Sequence, residues 1–125
     1  MARFDADSLD AVATVKELAI RTARHPGTSV VIWAVVSDET VFVRSFRGAA
    51  GRWYRDLAEG GRAALDAGGR TLEVQAVPVR DEATIARVSE AFLRKYRPSP
   101  YAEAMVKPEI LSTTLRLDPA AQSRR

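Results

Sequence analysis

Residues 28–37 read TSVVIWAVVS, and this segment constrains the fold more than any other part of the chain. It is rich in β-branched residues and apolar on both of its faces, which predicts a central strand that is buried on both sides. The dipeptide Asp38-Glu39 follows as a tight connection into residues 40–46, the expected hairpin partner. The chain is therefore expected to build a sheet around this strand.

Shorter patterns add further elements on both sides of the central strand. Additional strands are predicted at residues 16–23, 62–67, 70–79 and 110–117, and helices at residues 5–15, 49–59 and 81–96. The turn Gly68-Gly69 joins two of these strands as a hairpin. Six short strands without alternating strand–helix–strand units favour a closed or partly closed antiparallel barrel, since closure hides the sheet edges.

Chain length and composition limit the class of protein. The 125 residues fit one domain, taken as residues 1–119, followed by a polar tail at 120–125 that is expected to be disordered. No signal-peptide pattern is present, and the longest apolar run, residues 30–36, is too short to span a bilayer. The absence of cysteine excludes disulfides and thiolate catalysis. We therefore expect a cytoplasmic protein with no membrane partner.

The titratable residues exclude several kinds of site. The formal net charge is +3, and the basic residues are spread along the chain without a nucleic-acid-binding motif, so no nucleic-acid partner is expected. The single histidine, His25, precedes Pro-Gly on a turn, and no carboxylate pair has metal-ligand spacing, so no metal site is expected. With so few acids, bases and nucleophiles, the chain either uses a cofactor's chemistry or performs none.

The stretch RSFRGAAGRWYR, which begins at Arg44, predicts a site for an anionic small molecule. A glycine-rich turn between a strand and a helix can direct backbone N–H groups at one anion. Arg44, Arg47 and Arg52 could add charge-assisted hydrogen bonds, and Trp53 with Tyr54 offers a flat surface beside them. The alternative is a solvated turn that leads into an amphipathic helix, with Trp53 as a core anchor.

Four segments carry a resemblance to a known group of proteins: VIWAVVSDETVFVRSFRGAAGRWYRDL, GGRTLEVQAVPV, ARVSEAFLRKY and KPEILSTTLRLDP. Together they resemble an uncharacterised bacterial family of unknown function that is similar to the flavin-type split β-barrels. Those include the pyridoxamine-phosphate-oxidase-like proteins and the deazaflavin-dependent nitroreductases. The resemblance runs from Leu18 to Pro119, and residues 41–54 are its most specific part.

The resemblance implies a fold, a cofactor and a function. The implied fold is mainly β (α+β): a six-stranded antiparallel split β-barrel with three flanking helices, assembled as a homodimer. The implied function is a flavin- or deazaflavin-dependent oxidoreductase, with FMN or a deazaflavin as cofactor, acting on a small organic substrate. The alternative is a cofactor-free binding module or a non-redox small-molecule protein. The residues placed near the cofactor are Arg24, Arg44, Ser45, Arg47, Gly48, Gly51, Arg52, Trp53 and Tyr54.

Overall fold

A computed structural model describes residues 3–120 of the chain. Its helices are α1 (Ala6–Thr14), α2 (Arg52–Leu57), α3 (Glu82–Tyr96) and α4 (Pro108–Leu111), and its strands are β1 (Leu18–Thr22), β2 (Val30–Ile32), β3 (Ala34–Ser37), β4 (Thr40–Val43), β5 (Gly61–Ala67), β6 (Arg70–Pro78) and β7 (Leu115–Pro119). Two short 3₁₀ segments, Gly48–Ala50 and Ala102–Val106, connect them.

The seven strands form one antiparallel sheet in the order β2-β1-β5-β6-β7-β4-β3. The two ends of this order, β2 and β3, are neighbours in sequence and are separated only by Trp33. The chain itself therefore joins the two edges of the sheet at Trp33, and the sheet is a nearly closed barrel.

The predicted count of six strands is wrong, because the central strand at residues 28–37 is two strands. Ile20 pairs with Val30 at one edge of the sheet, whereas Ala34 pairs with Val43 at the other. Residues 30–32 pair with β1 and residues 34–37 pair with β4, and the strand is interrupted between them at Trp33. The break at Trp33 supplies the bend, and the sheet has seven strands.

The predicted count of three helices is also wrong, because the segment that precedes the last strand contains α4. Pro108 occupies the first turn of α4, where its missing N–H costs nothing. Thr113 and Thr114 then donate their hydroxyl hydrogens to the carbonyl oxygens of Ile110 and Leu111. The last strand consequently begins at Leu115 and not at Ile110.

Both tight hairpins use backbone conformations with positive φ. Asp38 and Glu39 have φ values of 53° and 60°, and Gly68 and Gly69 have 58° and 87°. Two successive residues of this kind match the right-handed twist of the flanking strands. Glycine adopts them without strain, whereas Asp38 and Glu39 do so at some cost.

Two apolar cores lie on opposite faces of the sheet. Val41 and Val43 point into the barrel, and Phe42 points outward against α3, as period-two alternation requires. The outer core consists of Val35, Phe42, Val79, Val88, Ala91, Phe92, Tyr96, Ala102 and Met105. The side chain after Val43, on the outward face, is therefore directed at the α3 layer.

The predicted tail lies almost entirely outside the described residues. Residues 121–125 are not among them, while the backbone N–H of Ala120 donates to the carbonyl oxygen of Glu73. The boundary at residue 119 stays a prediction. In the described part of the chain, none of the helices is both long enough and apolar enough to span a membrane.

Candidate functional site

A pocket of about 730 Å³ opens at the junction of β2 and β3, beside the loop that leads into α2. This volume is within the range of about 300–1,000 Å³ found for small-molecule and cofactor sites. The residues that line it are Val30, Val31, Ile32, Trp33, Arg44, Ser45, Phe46, Arg47, Gly51, Arg52, Trp53, Tyr101 and Met105. None of them is acidic.

The buried lining residues form what we call the floor of the pocket: Ile32, Arg44, Ser45, Gly51, Trp53 and Met105. Arg44 and Ser45 follow β4 directly and are each only 1% exposed. The floor thus combines apolar surface with one guanidinium and one hydroxyl.

Arg44 is held by hydrogen bonds to uncharged acceptors. Its Nε donates to Thr114 Oγ1 at 2.8 Å, and its Nη1 donates to Ser89 Oγ at 2.9 Å and to the Met105 carbonyl oxygen at 3.0 Å. Its Nη2 donates to the Ile85 carbonyl oxygen at 2.9 Å. Burial lowers the pKa of Arg44 to about 10, which still leaves it charged at neutral pH.

Ser45 carries a hydroxyl that none of the described residues satisfies. Its Oγ is buried without a hydrogen-bond partner, while its backbone N–H donates to Thr113 Oγ1 at 3.0 Å. A Cβ placed on Gly51 would lie 2.6 Å from this Oγ. Glycine at position 51 is therefore what gives the Ser45 hydroxyl its room.

The exposed lining residues form the rim of the pocket: Val31, Phe46, Arg47, Arg52 and Tyr101. Val31, Phe46 and Tyr101 are 64%, 57% and 62% exposed. The rings of Phe46 and Tyr101 meet edge to face, with their centroids 6.3 Å apart. Arg47 and Arg52 place two exposed guanidinium groups beside this apolar surface.

One pocket wall is an immobilised indole. Trp33 stacks on Tyr96 with the centroids 3.9 Å apart and the rings 2° from parallel. The hydroxyl of Tyr96 donates to the Lys16 carbonyl oxygen at 2.7 Å, and burial raises the pKa of Tyr96. Trp33 is thus fixed from behind, while Trp53 lies on the floor.

The pocket brings together most of the predicted site residues. Six of the nine line it, namely Arg44, Ser45, Arg47, Gly51, Arg52 and Trp53. The other three lie outside its lining. Gly48 is buried in the turn with a φ of +66°, Tyr54 donates from its hydroxyl to the Ser112 carbonyl oxygen at 3.4 Å, and Arg24 is exposed on the turn after β1.

The sequence analysis missed the residues that come from other elements. Trp33, Tyr101 and Met105 all line the pocket, but each belongs to a segment far from residues 44–55. Phe46 and Arg44 are two residues apart, and side-chain alternation along a strand was a usable sequence signal that both belong to the same site. No local pattern shows that residues 101–105 approach it.

The single histidine takes part in a separate cluster at the C-terminal half of α2. His25 Nδ1 lies 2.7 Å from Asp56 Oδ2, and the Thr22 hydroxyl donates to the same oxygen at 2.7 Å. Burial alone would raise the pKa of Asp56, but the hydrogen bonds from Thr22 and His25 hold it below its usual value. The cluster ties α2 to the turn after β1 and does not line the pocket.

No group of three or more histidine, cysteine, aspartate or glutamate side chains is placed to hold a metal ion within residues 3–120. The polar side chains of the described pocket lining come from arginine, serine, tryptophan and tyrosine residues, and the rest of the lining is apolar or glycine.

Comparisons of the chain with known proteins find a matching family model and solved structures of similar fold. The model of a family described as "Uncharacterized protein conserved in bacteria (DUF2255)" matches residues 8–117. A comparison with curated proteins finds no match.

Solved structures share the fold at low sequence identity. A conserved hypothetical protein from Mycobacterium tuberculosis is 15% identical, with a TM-score of 0.62, 98% of this chain covered and 83% of that one. The FAD and heme binding protein from Mycobacterium smegmatis is 17% identical, with a TM-score of 0.57 and coverage of 95% and 67%. The FAD binding protein from the same organism is 18% identical, with a TM-score of 0.51 and coverage of 97% and 94%.

Proposed function

The chain belongs to the DUF2255 family of bacterial proteins, and on that premise we propose that its pocket binds a flavin-type cofactor, FMN or a deazaflavin, in an oxidoreductase that acts on a small organic substrate. The observation that carries the proposal is the lining of the pocket, where arginines, an unpartnered hydroxyl and two indoles surround about 730 Å³. A ring system with an anionic side chain matches this combination of groups.

Each part of the lining has a role in such a complex. Arg47 and Arg52 on the rim would bind the cofactor's phosphate, because guanidinium groups form paired, charge-assisted hydrogen bonds with phosphate. Trp33 and Trp53 would bound the ring. When bound, the cofactor supplies hydride transfer, and the protein contributes orientation and electrostatics.

Two further observations support a flavin. Two of the similar structures described above bind FAD, and one of these two binds heme as well. The only histidine of the chain, a common axial ligand of heme iron, is paired with Asp56 outside the pocket lining. The groups that do line the pocket suit a phosphate and a planar ring.

The exposed apolar rim supports the proposal of a homodimer. Val31, Phe46 and Tyr101 are the three exposed large hydrophobic side chains of residues 3–120, and all three surround this one pocket mouth. A patch of this kind commonly marks an interaction surface. We expect a dimer in sedimentation and a monomer for the Phe46→Ser/Tyr101→Ser variant, whereas a monomeric wild-type protein would contradict the assignment.

Titration with FMN and with a deazaflavin, followed by cofactor fluorescence, tests the proposed function. We expect saturable binding of one of them, weakened about tenfold by Arg47→Ala or Arg52→Ala, as for the loss of a charged hydrogen bond. The matched control is Arg55→Ala, which removes an exposed arginine of the same helix that does not line the pocket. Absence of binding to both cofactors would favour a cofactor-free binding module.

A further inference from the structure

We propose that the floor of the pocket is a carboxylate subsite, in which a planar apolar ligand places an anionic oxygen against Ser45 Oγ within the field of the Arg44 guanidinium. The proposal uses the same pocket as the proposed function and specifies the chemistry of its inner end. This inner subsite on the floor is distinct from the rim, where Arg47 and Arg52 are exposed and where the cofactor's phosphate is expected.

The first argument is the missing counter-charge of Arg44. Its four hydrogen bonds go to two hydroxyls and two backbone carbonyls, and none of the ion pairs found in residues 3–120 includes it. The side chain also lies over the Phe92 ring, with Cζ 5.5 Å from the ring centroid. Buried charges are normally paired, because desolvation without a partner is costly. An anionic ligand would supply the missing charge.

The second argument is the unused donor of Ser45. Its backbone N–H is fixed on Thr113 Oγ1, and that hydroxyl donates onward to the Ile110 carbonyl oxygen at 2.6 Å. The position of Ser45 is thus fixed while its own hydroxyl has no partner among the described residues. A buried hydroxyl without a partner is costly, and an oxygen of a ligand would satisfy it.

The third argument is the rest of the lining. No lining residue is acidic, so nothing in the lining repels an anion, while Ile32, Trp33, Trp53 and Met105 favour an apolar body. An aromatic carboxylate combines the two properties, whereas a neutral amide of the same shape leaves the Arg44 charge uncompensated.

Benzoate and benzamide are the probes that test this subsite. Both tryptophans of the chain line the pocket, so their fluorescence reports binding directly. We expect benzoate to bind at least about tenfold more tightly than benzamide, and Ser45→Ala to weaken benzoate by about tenfold and benzamide, whose carbonyl is a weaker acceptor, by less. Ser112→Ala, an exposed serine outside the lining, is the matched control, and circular dichroism verifies that each variant is folded.

Other outcomes would overturn the subsite. Equal affinities for benzoate and benzamide, no binding of either, or a benzoate affinity that depends on Arg47 and Arg52 but not on Ser45 would each contradict it. A titration of the same samples with FMN and with a deazaflavin separates the two proposals: benzoate binding without binding of either cofactor refutes only the proposed function, and the reverse refutes only the subsite.

A competition experiment between benzoate and FMN shows whether the anionic oxygen that occupies the floor belongs to a substrate or to the cofactor. Benzoate that binds alongside saturating FMN means that the floor serves a substrate. Benzoate that FMN displaces means that the floor serves the cofactor's own polar edge. Both results support the subsite.

Discussion

Arg44 is a fully buried cation and Lys95 a partly buried one, and both are surrounded by uncharged oxygen acceptors and an aromatic ring. Lys95 Nζ donates to the carbonyl oxygens of Val12 and Ala34, each at 2.7 Å, and lies 4.9 Å from the Tyr96 ring centroid. Arg44 donates to hydroxyls and carbonyls and lies over Phe92. Neither has a carboxylate partner among the described ion pairs.

The two cations differ in whether they can lose their charge. Burial lowers the pKa of Lys95 to about 8, so the amine can be discharged in mildly basic solution. Burial lowers the pKa of Arg44 only to about 10, so the guanidinium keeps its charge. A permanently charged group at the floor of a pocket attracts an anion, whereas Lys95 can lose its charge in mildly basic solution. The comparison therefore favours Arg44 over Lys95 for the proposed anion subsite.

Replacement of Arg44 by methionine is expected to have the largest effect. It removes four hydrogen bonds and leaves buried acceptors on α3 and around Thr114 without a donor, which should lower the free energy of unfolding by about 2–4 kcal/mol. Urea denaturation measures the change. Arg44→Lys keeps the charge and part of the bonding, so it should lose less. A methionine variant as stable as wild type would contradict the expected loss and show that removal of the buried charge offsets the lost hydrogen bonds.

Replacement of Gly51 by alanine is expected to rank next. The new Cβ would lie 2.6 Å from Ser45 Oγ, so the floor must shift, at a cost of about 1–3 kcal/mol in the free energy of unfolding. Gly27→Ala is the matched control, since no atom lies within 4 Å of its added Cβ. Equal melting temperatures for the two variants would mean that the floor is not tightly packed around Ser45.

The pH dependence of stability should distinguish Lys95 from Arg44. Between pH 8 and 10 the unfolded chain, with a Lys95 pKa near 10.5, binds a proton that the folded chain does not. The free energy of unfolding therefore gains a contribution that rises with pH across this window. Lys95→Met should remove that rise in denaturation curves recorded at several pH values, and an unchanged slope would contradict the lowered pKa.

The sequence was sufficient for features that local chemistry determines. Asp81 was expected to begin the long helix, and its carboxylate accepts from the Thr84 N–H at 3.0 Å. The Gly68-Gly69 hairpin also forms as expected. A short pattern fixes such features, because the interacting groups are within a few residues of each other.

Features that depend on which segments meet were not predictable in this way. The break at Trp33 divides residues 28–37 between β2 and β3, whereas the pattern of these residues reads as one continuous strand. The contribution of Tyr101 and Met105 depends on where the 3₁₀ segment docks. The hydrogen bonds of Arg44 reach Ile85, Ser89 and Thr114, which are 41, 45 and 70 residues away, and only the fold brings them together.

The most direct test of the account is a map of where FMN binds, from two-dimensional ¹H–¹⁵N correlation spectra recorded during a titration. The account predicts saturating shifts at the indole N–H signals of Trp33 and Trp53 and at the backbone amides of Ser45 and Gly51. It also predicts no shifts around Lys95. Shifts centred on Lys95, or spectra that neither saturating FMN nor a saturating deazaflavin changes, would contradict the assignment of the pocket as the cofactor site.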